Sequence, residues 1–252
     1  MTSLKLSFPN EGIALVTLAH PPMNAMDADL LEELSALFKG LAADRAVRAA
    51  VIAADGPAFS AGLNLKTVPS LDRLGQRRLI DALNEGFGTL YGWPKPLVAA
   101  VNGHAIAGGL ILALCADWRV VADQPMQVSL AEVRAGVTYP VAALEVARSE
   151  LSPAAARRLM LLGETLDAAG AEALAVFDEC VPAADLRQHA IAQAIRHAAL
   201  PPQAFATIKR ELRAPQLARI DAARAGHAEP RLAAWLGEEM RRASAAALRG
   251  AA

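Results

Sequence analysis

The chain has only two cysteines in 252 residues, Cys115 and Cys180. Thiols this few and this far apart build neither a disulfide framework nor a metal-ligand spacing, so no metal site is expected from them. An excess of one charge is also missing. Twenty-five basic and 26 acidic residues leave a formal net charge of -1, which argues against nucleic acid or an anionic membrane as the main partner. No hydrophobic run is long enough to cross a bilayer. Residues 1–8 lack a basic segment followed by an apolar core, so a cytoplasmic protein is expected. Internal repeats and low-complexity linkers are absent apart from an Ala/Arg-rich tail. What the chain does have is apolar bulk. Its residues are 54% hydrophobic and 20% charged, enough to bury one large domain with an appendage.

In chain order, residues 4–8 and 13–18 read as strands joined by a hairpin over Pro9-Asn-Glu-Gly12. Pro21-Pro22 blocks continuation. Asp27 is placed to cap a helix running to about Leu41, because Leu30, Leu31, Leu34, Leu37 and Phe38 recur at helical spacing. Residues 49–54 are apolar without alternation, as in a strand buried on both faces. A helix within 71–92, a strand at 97–101, a helix at 108–116 and a strand at 118–122 follow. Strands alternating with helices predict an α/β core. From Val141 onward the pattern is mostly helical, with starts at Ser152-Pro153, Leu166-Asp167 and Asp185. Leu200-Pro201-Pro202 is the clearest break. It divides a core, 1–199, from a helical region, 200–252, where Leu232, Trp235, Leu236 and Met240 share a face that needs cover.

Two stretches combine a strand, a small-residue turn and a further element. One is Leu97-Val-Ala-Ala-Val, then Asn102-Gly103, then Gly108-Gly109 opening an apolar helix. The other is the strand at 49–54 followed by Ala58-Phe-Ser-Ala-Gly-Leu-Asn-Leu-Lys66. Glycine lets a ligand oxygen approach bare backbone, and the first turn of a helix has N–H groups without internal partners. Each strand end can therefore supply one N–H to a single oxyanion.

Together the two stretches resemble the crotonase superfamily, the enoyl-CoA hydratases and isomerases. The resemblance rests on Ala58-Phe-Ser-Ala-Gly-Leu-Asn-Leu-Lys66, on Lys95-Pro-Leu-Val-Ala-Ala-Val-Asn-Gly-His-Ala105 and on Gly108-Gly109. Asp117, Glu132 and the early Pro21-Pro-Met-Asn-Ala25 also fit. It implies an α/β fold built as a spiral of ββα units, not a doubly wound sheet, and a substrate that is an acyl-CoA thioester. Coenzyme A would then be part of the substrate, with no permanently bound cofactor. It also implies that the last helices support a homotrimer or a dimer of trimers.

By the same resemblance, the oxyanion donors are the backbone N–H groups of Leu63 and Gly108. Ala25, Ala61, Gly62, Lys66, Ile111 and Tyr139 are the further candidates for contact with the acyl-CoA. Removing the α-proton of a thioester puts charge on the carbonyl oxygen, and losing one fixed donor typically costs about 10²–10³ in rate. Glu132, in the apolar context Val128-Ser-Leu-Ala-Glu-Val-Arg-Ala-Gly136, is the candidate base. Desolvation there would raise its pKa toward a useful value. The competing reading is a surface glutamate or an ion-paired one, with Arg134 as the candidate partner. Glu132 lies one residue farther from Asp117 than in typical hydratases, an offset assigned to the loop at 123–126.

Ile111 bears on the reaction. Hydratases of this family carry a second glutamate three residues after the oxyanion-hole glycine, nearly on the same helix face. Hydration uses two carboxylates to hold and split a water. Moving a double bond from C3–C4 to C2–C3 needs one base, which takes a proton from C2 and returns it to C4. The expectation is therefore an enoyl-CoA isomerase using Glu132. A hydratase, a thioester hydrolase and a non-catalytic acyl-CoA binder are the alternatives. His104 with Ser60 and an aspartate would make a hydrolase triad. Asp117 is read as structural, binding nearby backbone N–H groups. Glu145 and Glu150 are solvated or paired, or stand in as the base. Trp93 and Tyr139 pack or line the acyl pocket.

Overall fold

The computed structural model describes residues 3–64 and 67–226. Lys66 and the apolar face at 232–240 lie outside the described residues. Two strands open the chain, β1 (Leu4–Asn10) and β2 (Ile13–Leu18). The hairpin is tighter than the sequence pattern suggests, since β1 runs through Pro9 and Asn10 and turns on Glu11-Gly12. Helix α1 (Ala28–Ala43) starts where expected, with the Asp27 side chain accepting the Leu30 N–H at 2.9 Å.

Three ββα units then follow. The first is β3 (Ala49–Ala54), β4 (Ala58–Ser60) and α2 (Arg73–Tyr91). The second is β5 (Leu97–Val101), β6 (His104–Ile106) and α3 (Gly108–Leu114). The third is β7 (Trp118–Asp123), β8 (Val128–Ser129) and α4 (Val141–Glu150). In each unit the first strand joins a six-stranded sheet and the second a four-stranded one. The sheet orders are β1-β2-β3-β5-β7-β10 and β4-β6-β8-β9. The chain thus winds as a spiral, one strand per turn in each layer. Strands β3 and β5 are fully buried and pair in parallel, as their unbroken apolar runs require.

The rest of the described residues form α5 (Pro153–Ala156), β9 (Thr165–Leu166), α6 (Ala168–Ala173), β10 (Glu179–Pro182), α7 (Leu186–Ala198), α8 (Pro202–Leu212) and α9 (Ala214–Gly226). Ser152 caps α5 through its side chain and Asp167 caps α6. Asp185 precedes α7 without a side-chain cap bond. The region after Val141 is less purely helical than its pattern suggests. Strand β10 extends the large sheet alongside β7, and β9 closes the small one against β8. Helix α5 runs on into a wide turn at Arg157–Leu161.

The helices past the Pro201-Pro202 break pack onto the core, α9 against α2 and α4. Polar groups fasten them. Lys209 and Arg213, both 7% exposed, contact the Asp117 carboxylate at 2.7 and 3.2 Å. Arg213 also reaches Glu150 at 3.2 Å and lies over the Tyr91 ring. Asp117 accepts the Leu97 N–H at 2.8 Å, so its reading as a structural residue holds. Its two cationic partners come from the far end of the sequence. Among the described residues no helix is long and apolar enough to cross a membrane.

Candidate active site

The small sheet places the site. Strands β4, β6 and β8 are parallel neighbours. Their C-terminal ends release Leu63, Gly108 and Glu132 three, two and three residues later. Ligands of open α/β sheets gather at the carboxyl ends of strands. Here three successive strands each deliver one candidate residue to the same edge.

The Leu63 amide is turned by a single bridge. Met26 donates its N–H to Gly62 O at 2.7 Å and accepts from Asn64 N–H at 3.1 Å. Residue 63 sits between these bonds, so its own N–H points away from Met26. That segment is held by Asn24, whose side chain donates to the Asp55 and Ala58 carbonyls, both at 2.9 Å. Ala25 and Ala61 are half-buried on the paired segments, and Ala61 N–H donates to Met23 O at 3.0 Å.

The Gly108 amide belongs to the first turn of α3. Ala107 precedes it at φ 52°, a strained conformation for a residue with a β-carbon. The Ala107 carbonyl already accepts from Leu110 and Ile111 at 3.0 and 3.1 Å. Among the described residues neither Leu63 N–H nor Gly108 N–H finds an acceptor. The two turns lie against each other. A β-carbon on Gly62, at φ 74°, would stand 2.7 Å from Ile106 O and 3.1 Å from Gly108 N. One on Gly109 would stand 2.1 Å from Ser60 O. Both glycines are required by this close approach.

Glu132 sits in the loop after β8. Its Oε2 is buried with no hydrogen-bond partner. Among the described residues it pairs with no cation, and Arg134 instead runs alongside Gly163, so the reading as an ion pair with Arg134 fails. Burial pushes the carboxyl up from 4.5 to about 7, with the Tyr139 hydroxyl pulling the other way. That corresponds to about 3 kcal/mol of preference for the neutral form. Tyr139 is half-buried and donates its hydroxyl to Leu130 O at 2.9 Å. The tyrosine carries no signal of this second role in its local sequence.

Ile111 is fully buried one turn into α3. Trp93 belongs to the core, with its Nε1–H on Phe38 O at 3.0 Å. Glu145 is paired with Arg148 and Arg219, and Glu150 with Arg119 and Arg213. Neither is a free base. The triad reading has no geometry to support it. Ser60 donates to Asn24 O at 2.7 Å, and His104 Nδ1 is occupied by the Gln127 N–H at 3.0 Å.

The model of the family described as enoyl-CoA hydratase/isomerase matches residues 9–239. The chain belongs to the enoyl-CoA hydratase/isomerase family. Relatives of this hydratase/isomerase chain carry both names. It is 28% identical to human mitochondrial enoyl-CoA delta isomerase 1 over 211 residues, 83% of this chain and 70% of that one. It is 31% identical to the probable enoyl-CoA hydratase EchA17 of Mycobacterium tuberculosis over 198 residues, 79% of this chain and 76% of that one. Among solved structures, the human mitochondrial delta3-delta2-enoyl-CoA isomerase superposes with a TM-score of 0.92 at 25% identity, covering 98% of this chain and 97% of that one. The Mycobacterium tuberculosis enoyl-CoA isomerase gives 0.81 at 29% identity, covering 89% and 97%. The spiral of ββα units is the crotonase-like fold that the motifs imply.

Proposed function

We propose that this chain isomerises an unconjugated enoyl-CoA to its conjugated form, using Glu132 as the single base. The observation that carries the reading is the Glu132 carboxyl. Its Oε2 is buried, it has no cationic partner among the described residues and it is poised near 7; its loop leaves the same sheet edge as the two turns whose Leu63 and Gly108 amides have no acceptor among the described residues. A carboxyl near the working pH both accepts and releases a proton readily. The thioester carbonyl is taken to lie between the two amides. Glu132 removes a proton from C2, the charge moves to the carbonyl oxygen, and the same proton is returned to C4. Isoleucine at 111 supplies no second carboxyl.

Gly62 and Ala61 form the turn against which the thioester lies, and Ala25 lines its other side. Ile111 and Tyr139 are proposed at the acyl end, and Lys66 near the CoA phosphates. Coenzyme A enters only as part of the substrate. A homotrimer or dimer of trimers, in the cytoplasm, completes the proposal. The test is to incubate the protein with a 3-enoyl-CoA and with crotonyl-CoA and follow the conjugated-enoyl absorbance. Isomerisation raises it in the first case and leaves it unchanged in the second. Rapid loss with crotonyl-CoA would establish the hydratase reading, which the EchA17 relationship favours.

A further inference from the structure

Glu132 and Tyr139 lie at the two ends of one short loop. The Tyr139 hydroxyl reaches back to the first residue of that loop, donating to Leu130 O at 2.9 Å. It also lies against the Glu132 carboxyl, each group affecting the other's titration. A phenol has one proton to donate. While that proton is on Leu130 O, the phenol oxygen faces Glu132 only as an acceptor, which suits a protonated carboxyl. When Glu132 is ionised, a charge-assisted bond from the hydroxyl to the carboxylate is the stronger one, and a rotation about the C–O bond makes it.

From this geometry we infer that Tyr139 is a positioning residue whose hydroxyl switches between Leu130 O and the Glu132 carboxylate as Glu132 empties and fills. The inference rests on Glu132 being the base of the proposed reaction. The tyrosine keeps its own proton throughout. In the first half-reaction the C2–H bond breaks and its proton forms the Glu132 O–H bond. The hydroxyl of Tyr139 then turns back to Leu130 and its oxygen accepts from the new acid. In the second half the Glu132 O–H bond breaks, C4–H forms, and the hydroxyl returns to the carboxylate. Each protonation state thus has a partner, and the acid is held in place for delivery.

Burial dominates this carboxyl, and among the described side chains Tyr139 is the one that acts on it. Among the described residues no charged side chain shifts Glu132, which is raised by burial, and Glu132 is the one charge that shifts Tyr139. Burial and the Glu132 charge push the phenol's pKa upward, so it stays a neutral hydroxyl. Arg134, two residues along the loop, is turned against Gly163. Leu130 is itself fully buried, so its carbonyl offers the hydroxyl a resting acceptor away from solvent.

The experiment is an infrared pH titration of the full-length protein without substrate, with spectra of Glu132→Gln subtracted so that only this carboxyl is seen. In Tyr139→Phe the midpoint is expected to rise by about one pH unit, because one charge-assisted donor is lost. The kcat profile should shift by the same amount, with about fivefold less activity at pH 7, recovery above pH 8 and KM nearly unchanged. Fluorinated tyrosine at Tyr91 and Tyr139 keeps the shape and strengthens the donor, so the midpoint should fall. This second arm decides the matter if the phenylalanine variant does not fold. A midpoint unmoved in the fluorinated protein, or in folded Tyr139→Phe, overturns the switch and leaves Tyr139 a packing residue. Midpoints that move as expected in a protein that turns over no enoyl-CoA uphold the coupling while defeating the proposed reaction.

Discussion

The carbonyl of Ser129 accepts the backbone N–H of Ala107 at 2.8 Å. This one bond joins the strand that launches Glu132 to the strained residue that presents Gly108. It ties the backbone that leads to the candidate base to the backbone that presents one candidate oxyanion donor. Gly62 does the same for the other donor, by its closeness to Ile106 and Gly108.

Replacing Glu132 with glutamine keeps the shape and removes the base. Turnover of 3-enoyl-CoA should fall by about 10²–10⁴, while acyl-CoA binding measured by calorimetry stays within a few-fold of the wild type. Full turnover in the variant would remove Glu132 from the mechanism.

The pH dependence follows from a carboxyl raised to about 7. The base form is needed to start the reaction, so kcat should rise with pH through a midpoint near 7. The folded-state pKa lies above the ordinary 4.5, so this group's contribution to stability is fully present below 4.5 and is lost as pH rises through 7. Wild type should therefore lose about 3 kcal/mol relative to Glu132→Gln between pH 4 and pH 8. Urea midpoints at the two pH values check it, and parallel curves would refute the burial argument.

Gly62→Ala should cost more activity than Leu63→Ala, because at Leu63 only the backbone N–H is used. The new methyl would meet Ile106 O at 2.7 Å in a left-handed backbone region. The two turns must part, and a displacement of the Leu63 and Gly108 amides is expected to cost about 10²–10³ in rate. Leu63→Ala serves as the comparison and should stay within about tenfold of wild type.

Asp117→Ala should destabilise the fold by about 3–5 kcal/mol, because it leaves Lys209 and Arg213 buried without this carboxylate. Lys209→Met should cost less, since Asp117 keeps Arg213 and the Leu97 N–H. Thermal denaturation of both variants measures the order. Equal costs would mean that the lysine alone holds α8 to the core.

Much of this molecule can be read from the chain alone because local chemistry repeats there. The buried strands at 49–54 and 97–101 show as unbroken apolar runs. The α1, α5 and α6 starts show as Asp27, Ser152 and Asp167, and the two glycine-bearing turns show as family motifs. The small sheet does not show. Ala58-Phe-Ser, His104-Ala-Ile and Val128-Ser are too short for any period to register, and β10 is a four-residue strand ending in proline.

By itself the sequence determined the family and the order of β1, β2, α1, β3, α2, β5, α3 and β7, and it singled out Glu132 as the candidate base, since each depends on residues near one another along the chain. Only the tertiary structure decided that Glu132 has no cationic partner among the described residues, that Tyr139 acts on it, and that Asp117 anchors Lys209 and Arg213. Charge pairing and desolvation depend on which side chains meet in space, and those partners lie up to 96 residues apart from Asp117 to Arg213.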